Sequence, residues 1–520
     1  MKKIFSLFLA ILFIFCFIGC NNKPDDDEKL EKVTVRTSLK STTINILLMS
    51  SDMPADSNTV ITAVNNQLMK DGKPYQVNIE FATDTNYSVT LEDRAKTGYD
   101  AAWSHVDNIS DLIEKEVIKN NLMPYLNIWG KKILEYVPRY AFDQFTNFKN
   151  DGLYAIPRSM PIANDRSRLL VRKDWMQLAG INEIKDITTL DRYLAFIKEE
   201  FEDLTGFKAM IPDYGNAHLL REYCPTYFFP TGSDSYPIYI DIDDPALTVK
   251  NFFKTEAFAT WVNKSYSYVQ QGISPLTTSS SDPEQVFYLG LTGAISDYSV
   301  VKMSERIAAF KSVQTEGELY DVFIESENNK KIVFRGSDNC MVVLKNSQSV
   351  EETVDFFNWL KDQDNADLMS WGVEGVNYFL TDEGKITFTQ NGKSIQTNKR
   401  FSVMNPSWAY NDIKHMRWNA YLNDQWIEET VNWEQNDEKG NPLNYRISPL
   451  VGFNVYPTEA FLTAYERVSN AMAMVSTLLQ GRTDPSNISK LISDTDQAGM
   501  NDLIAEVQRQ VNEFLQYKNK

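Results

Sequence analysis

The stretch from Ile44 to Phe81 constrains the fold most tightly. Ile44 to Met49 is a short apolar run that breaks into Ser50-Ser51-Asp52, the pattern of a buried strand meeting a polar loop. Val60, Ile61, Val64 and Leu68 then recur at helical spacing between residues 58 and 70, and Asp71-Gly72 closes that helix. Val77 to Phe81 alternates as a strand. Strand, helix and strand within about forty residues predict a crossover unit of an α/β lobe.

The alternation continues. Tyr99-Asp100-Ala101-Ala102-Trp103 reads as a strand end and 108–119 as a helix. Gly152 to Pro157 reads as an extended segment, and Arg168 to Arg172 as a strand entering a helix from Lys173 to Ala179, capped by Gly180. Amphipathic helices are expected over 188–202 and over 352–369, where Val354, Phe357, Leu360 and Leu368 form a stripe. From Thr458 onward the chain reads as helices interrupted at Gly481 to Pro485. With 520 residues, 43% of them hydrophobic, the chain is too long for one core, so two or more lobes are expected.

The first residues carry a different message. Lys2 and Lys3 precede an apolar run from Ile4 to Ile18, too short to cross a bilayer comfortably, and Gly19 precedes Cys20. This is an export signal, and Phe17-Ile18-Gly19-Cys20 resembles the lipobox of bacterial lipoproteins, with Phe17 where leucine is commoner. Residues 1–19 are then a lipoprotein signal peptide, and Cys20 becomes the lipid-modified first residue. The mature protein is membrane-anchored through that lipid, of which palmitate is one expected part, on the extracytoplasmic face of the cell membrane. An ordinary signal peptide or a short anchor helix is the alternative. Residues 20–41, charged at Asp25-Asp26-Asp27-Glu28 and Thr/Ser-rich from Ser38 to Thr43, read as a flexible tether.

A net charge of −18, made more negative by loss of Lys2 and Lys3 on export, argues against nucleic acid and against anionic lipid held by a basic patch. It also disfavours a polyanionic ligand. Beyond the signal no apolar run of ~18 residues recurs. Cys224 and Cys340 suggest two unpaired, buried thiols rather than a disulfide framework. His105, His218 and His415 lie far apart with no HExxH or CxxC, so neither a metal, a cofactor nor a His-based catalytic motif is expected.

Four segments, in order, carry a resemblance. They are Gly152 to Arg158 with Leu169 to Trp175 and Leu178 to Gly180; Phe287 to Ala294; Ser349 to Leu360; and, most specific, Trp371-Gly-Val-Glu-Gly-Val-Asn-Tyr378. Over 42–520 the chain resembles the extracellular solute-binding lipoproteins of bacterial carbohydrate ABC importers, family 1 type, in the large branch related to alginate and complex-oligosaccharide binders. The resemblance implies an α/β, two-lobed, periplasmic-binding-protein-like fold of type II with hinge crossings and a helical C-terminal region. It puts crossings near Pro157 to Asn164, near Gly336 to Cys340 and around 390–405. Lobe one is then 42–157 and 338–395, and lobe two 158–337 and 396–520. Some alginate-type relatives carry a calcium loop after the helix that here ends near Glu202. Phe201-Glu-Asp-Leu-Thr-Gly-Phe-Lys208 lacks its ligand alternation, so no calcium is expected there.

A sugar offers apolar C–H faces and paired hydroxyls, so its site calls for aromatic platforms beside carboxylates, amides and guanidiniums. Candidates for ligand binding are Trp103 at a strand end, Tyr154 and Arg158 flanking the first crossing, Asp297 and Tyr298 after an apolar segment, Trp371 and Tyr378 bracketing Glu374, and Trp408 beyond the third crossing. Trp103 suits either the cleft or the core beneath the sheet. The Trp371 segment either meets ligand or only shapes a turn, since Gly372 and Gly375 imply tight backbone, and Arg158 is either a ligand contact or a hinge ion pair. If Trp103 and Trp371 are cleft residues, Trp103→Ala and Trp371→Ala weaken sugar binding and barely move the melting temperature.

The reading that follows is a monomeric, non-enzymatic receptor with no catalytic residue. It captures an oligosaccharide by hinge closure and delivers it to an ABC transporter permease. The alternatives are a secreted glycoside hydrolase or polysaccharide lyase, and a peptide-binding lipoprotein. Neutral and uronic-acid sugars both stay open, because Arg158 can reverse locally what net charge disfavours.

Overall fold

The computed structural model describes residues 30, 32–50, 56–83, 85–158, 168–211, 216, 218–231, 236–275, 283–297, 309–322, 331–388, 417, 435–439, 442–443 and 445–518. Along the chain the strands that position the site are β1 (Thr42–Met49), β2 (Tyr75–Ala82), β3 (Ala101–His105), β4 (Ala155–Pro157), β5 (Arg168–Arg172), β6 (Lys208–Ile211), β7 (Thr292–Asp297), β8 (Leu319–Val322), β9 (Lys331–Val333), β10 (Asn339–Val343) and β11 (Tyr445–Ile447).

Lobe one is a sheet of order β2-β1-β3-β10-β4. β1 runs parallel to β2 and β3, while β10 returns antiparallel between β3 and β4. Ile44, Ile46, Leu47 and Leu48 of β1 are all buried, so the continuous apolar run reflects a strand covered on both faces. Helix α1 (Ser57–Lys70) turns Val60, Val64 and Leu68 inward, and α2 (Arg139–Asp143), α3 (Val350–Trp359) and α4 (Gln363–Trp371) complete the cover. Buried Asp100 ties the strand starts together: Asn45 N donates to its Oδ2 at 2.9 Å and Ser347 Oγ to its Oδ1 at 2.7 Å.

Lobe two has a sheet of order β8-β5-β7-β6, with β7 parallel to β6 and antiparallel to β5. Its helices start where the sequence supplies caps. The Asp186 carboxylate accepts from Thr189 N at the head of Ile187–Phe201, and the Thr458 hydroxyl accepts from Phe461 N at the head of Glu459–Ala471. The C-terminal region is helical, as expected, and packs on this lobe through Val468, Leu478, Leu491, Leu503 and Val507. Its break comes at Gly481, whose φ of +72° and seat 2.2 Å (as an added Cβ) from Ser265 O admit only glycine.

The buried residues fall into two separate cores, one running from Ile44 to Ile156 and resuming at Val333, the other beginning at Leu169. Cys340 is a buried free thiol in the first core and Cys224 in the second. Between the cores β9 pairs in parallel with β11: Ile332 belongs to the second core, while Val333 and Tyr445 belong to the first.

Two positions differ from the sequence reading. Arg417 donates to Asp364 and Asp367 on α4, and Tyr445 and Val451 lie in the first core, so chain beyond 396 packs on lobe one. The reason is that β11 finds its partner in β9, a pairing no local pattern announces. Residues 32–41 are not a free spacer either, because Val33, Val35 and Leu39 pack against the first core.

Candidate functional site

In an open α/β sheet, ligands bind outside the carboxyl ends of the strands where the strand order reverses. In lobe one that place is between β1 and β3, since β2 lies on one side of β1 and β3 on the other. Ser50 follows β1 there, and His105 ends β3 and runs into a short 3-10 turn, Val106–Asn108.

The chemistry at this edge is a carboxylate beside a guanidinium and an imidazole. The Asp107 carboxylate, more than half exposed, accepts from Arg335 Nη1 at 2.8 Å and lies 3.3 Å from His105 Nδ1. Partial burial by itself makes such a group a weaker acid, but His105 and Arg335 outweigh it and hold the carboxyl well below the usual carboxylate range. Asp107 is therefore an anion at neutral pH with lone pairs open to solvent, able to accept from hydroxyl donors.

Next to it lie two of the segments that the sequence reading expects to cross between lobes, at Arg158 and at Gly336 to Asn339. Arg158, following β4, forms a 2.5 Å ion pair with Asp338, and its N donates to Asn339 O at 3.3 Å. Val106 N donates to Asp338 O at 2.7 Å, so the end of β3, Arg158 and Asp338 meet in one knot. Gln144, just after α2, ties Gly336 to Asn454: its Oε1 accepts from Gly336 N at 3.0 Å and its Nε2 donates to Asn454 Oδ1 at 3.2 Å. A Cβ on Gly336 would sit 2.0 Å from Tyr140 O, and one on Gly452 2.4 Å from Asp143 O. Both glycines thus rest directly on the backbone of α2.

The segment Trp371 to Tyr378 reaches the same side of lobe one. Asn377 Nδ2 donates to Asp56 Oδ2 at 2.9 Å, at the start of α1, and its Oδ1 accepts from Val373 N at 2.9 Å. Gly372 has φ +92° and faces the Asn377 side chain so closely that a Cβ would lie 2.5 Å from its Oδ1. Glu374 projects into solvent, while Trp371 and Tyr378 are buried. Beneath them, fully buried Asp367 pairs with Arg417; burial pushes its carboxyl up to about 6 despite that cation.

The other sequence candidates fall as follows. Trp103 lies within β3, two residues short of its end, packed edge-on against Tyr87 at 5.5 Å, and its indole Nε1 has no partner among the described residues. Tyr154 is buried, its hydroxyl accepting from Asn147 Nδ2 at 3.3 Å. Asp297 ends β7 in register with Arg168, the first residue of β5. Tyr298, Trp408 and Cys20 lie outside the described residues. Arg158, Trp371, Glu374 and Tyr378 belong to lobe-one structures at or near its crossing edge, Arg158 in the knot and the others in the Asn377 turn. Sequence reasoning missed Asp107, Arg335, Asp338, Gln144 and Asn377. The one local signal was the polar Ser104-His105 and Asp107-Asn108 closing a strand; the others are brought to the site by contacts across 180 residues or more.

Comparison with known proteins bears on this geometry. The family model that matches is a domain of unknown function, DUF3502, over residues 452–516, the C-terminal helices. No curated protein matches the chain. Among solved structures it is similar to NgtS, an N-glycan transport solute binding protein from Streptococcus pneumoniae, at 17% identity and TM-score 0.72 over 92% of this chain and 100% of that one. Against NgtS in complex with Man5GlcNAc the values are 18% and 0.63, over 92% and 99%. A human-milk-oligosaccharide (HMO) binding, ABC-transporter associated solute binding protein from Bifidobacterium longum infantis gives 11% and 0.59, over 90% and 98%. The fold is that of the two-lobed solute-binding proteins.

Proposed function

We propose that this chain is a receptor that takes an oligosaccharide between its two lobes and presents it to the permease of an ABC transporter. The single observation that carries the reading is the lobe-one edge, where anionic Asp107 stands at the sheet's switch point beside Arg335 and the Arg158–Asp338 pair. Support comes from the fold it shares with proteins named for N-glycan and milk-oligosaccharide binding.

The mechanism is capture and closure. The crossings, knotted at Arg158, Asp338, Gln144 and Gly336, act as the hinge about which lobe two approaches lobe one. A ligand that touches both lobes stabilises the closed form by its differential affinity for it. No bond in the ligand changes, and the protein works as a monomer. Asp107, Glu374, Asp297, Tyr298 and Trp408 are assigned contact with the sugar, and Trp103, Tyr154, Arg158, Trp371 and Tyr378 form the wall that holds those groups. The third crossing is assigned to 445–453, and lobe two to 168–332 with the C-terminal helices. Cys20 carries the lipid that keeps the receptor on the outer face of the cell membrane.

The test is a thermal-shift screen of the protein from Cys20 onward, without lipid, against neutral oligosaccharides, uronic-acid oligosaccharides and mixed peptides, with product analysis of each hit. A ligand bound only by the native state raises its apparent stability by about 2.7 kcal/mol at one hundred times its Kd. A shift with an intact oligosaccharide is expected. Shifts with peptides alone, or breakdown of the sugar, would refute the reading.

A further inference from the structure

The charged N-terminal segment is held by lobe one rather than hanging from it. Arg36 Nη2 lies 2.7 Å from Glu351 Oε2 and 2.7 Å from Glu352 Oε2, and its Nη1 donates to Glu352 Oε1 at 3.0 Å. The backbone joins in: Arg36 N donates to Glu351 Oε1 at 3.0 Å and Lys40 N to Glu352 Oε1 at 2.6 Å. Trp129 Nε1 donates to Arg36 O at 2.9 Å, and Lys40 Nζ to Gln348 O at 2.5 Å. Glu352 is fully buried and Glu351 nearly so, on the first turn of α3, with Asp355 one turn further engaged by Lys73 and Tyr75. Two adjacent buried carboxylates repel each other, and Arg36 is the cation that pairs with both. Further back, Leu30 packs over Gly152, where a Cβ would lie 2.8 Å from its Cδ2.

This fixes the reach of the anchor. From Cys20 to Leu30 there are ten residue steps, which span at most about 35 Å fully extended. Were the segment free up to Thr42, twenty-two steps would span about 75 Å. We infer that residues 32–41 are a docked strap that makes lobe one the membrane-side lobe, its Gly152 and Trp129 face toward the bilayer, and leaves lobe two as the lobe that swings. The inference rests on the lipid proposed for Cys20, but its first test does not use lipid or sugar. During closure the membrane then meets a stationary lobe one, and the motion is carried by the part of the molecule joined to it only through the crossings.

Hydrogen exchange on the protein without lipid tests the docking. The Arg36 and Lys40 amides are expected to exchange at least about tenfold more slowly than an unstructured chain, and Arg36→Ala to remove that protection. Arg36→Lys keeps one ion pair and should retain part of it, which covers the case of an Arg36→Ala protein that does not fold. Unprotected amides in the unaltered protein would overturn the strap. The membrane side is tested with the lipidated full chain on phosphatidylcholine vesicles carrying an acceptor dye. Energy transfer from a donor at Lys131→Cys on lobe one should exceed that from Lys185→Cys on lobe two and fall in the Arg36→Ala background. Equal transfer from the two lobes, or a full chain that does not attach, would overturn that half. Sugar binding enters neither readout, so its failure in the screen above is a separate result.

Discussion

Replacing Arg158 by alanine probes the hinge knot most directly. The guanidinium is 5% exposed and the Asp338 carboxylate 18%, and they meet at 2.5 Å, so the substitution strands a carboxylate that water reaches poorly. Breaking a buried ion pair from one side costs about 3–5 kcal/mol. The residual exposure of Asp338 places this case at about 3 kcal/mol, the lower end of that range. For a lobe of this size each kcal/mol lowers the melting temperature by about 2–4 °C, so a fall of about 6–12 °C is expected in calorimetry. Arg158→Ala with Asp338→Ala removes both charges, and the pair should recover about 1–3 kcal/mol relative to the sum of the single substitutions. An oligosaccharide found in the screen should bind the double variant within about threefold of the unaltered protein, since a three-fold change is well under 1 kcal/mol. A fall below about 2 °C for Arg158→Ala would refute the buried tie. A stable double variant that has lost sugar affinity would return Arg158 to direct ligand contact.

Three further outcomes are expected. Gly336→Ala should cost about 3 kcal/mol in denaturant unfolding because the added Cβ meets backbone oxygen that cannot rotate away, whereas Gly72→Ala, with open space around it and φ +72°, should cost only the strain of about 1 kcal/mol; equal costs would count against the tight seat on α2. Trp103→Ala should destabilise by about 3–5 kcal/mol, in contrast to the unchanged melting temperature that a cleft position implies, and an unchanged melting temperature would put the side chain back in the cleft. Asp367 is raised from 3.8 to about 6 on folding, so the stability it contributes is full below about pH 4 and lost as pH rises through about 6. Asp367→Asn should therefore gain on the unaltered protein by up to about 3 kcal/mol across that window, and a constant difference between the two pH profiles would refute the shift.

Much of the scaffold was readable in the chain. Ile44 to Met49 declared a buried strand because both faces of β1 are covered, and Val60, Val64 and Leu68 declared the inward stripe of α1. Gly481 marks the break in the C-terminal helices. Part of the site was readable for the same reason: the polar residues closing β3 and the glycine-framed turn after Trp371 are local patterns. Trp103 shows the limit, since alternation along a strand assigns a residue to a face, and only the neighbouring Tyr87 reveals that this face is covered.

The sequence by itself therefore determined the α/β elements, their order and the helical C-terminal region, all encoded by interactions spanning a few residues. Tertiary structure alone decided how Gln144 joins Gly336 and Asn454, 192 and 310 residues away, and that Arg36 docks on glutamates 315 and 316 residues further on. Such contacts leave no periodicity in the chain. A buried carboxylate or a glycine seated on another helix's backbone is set by where distant surfaces meet, and that is fixed only once both cores have formed.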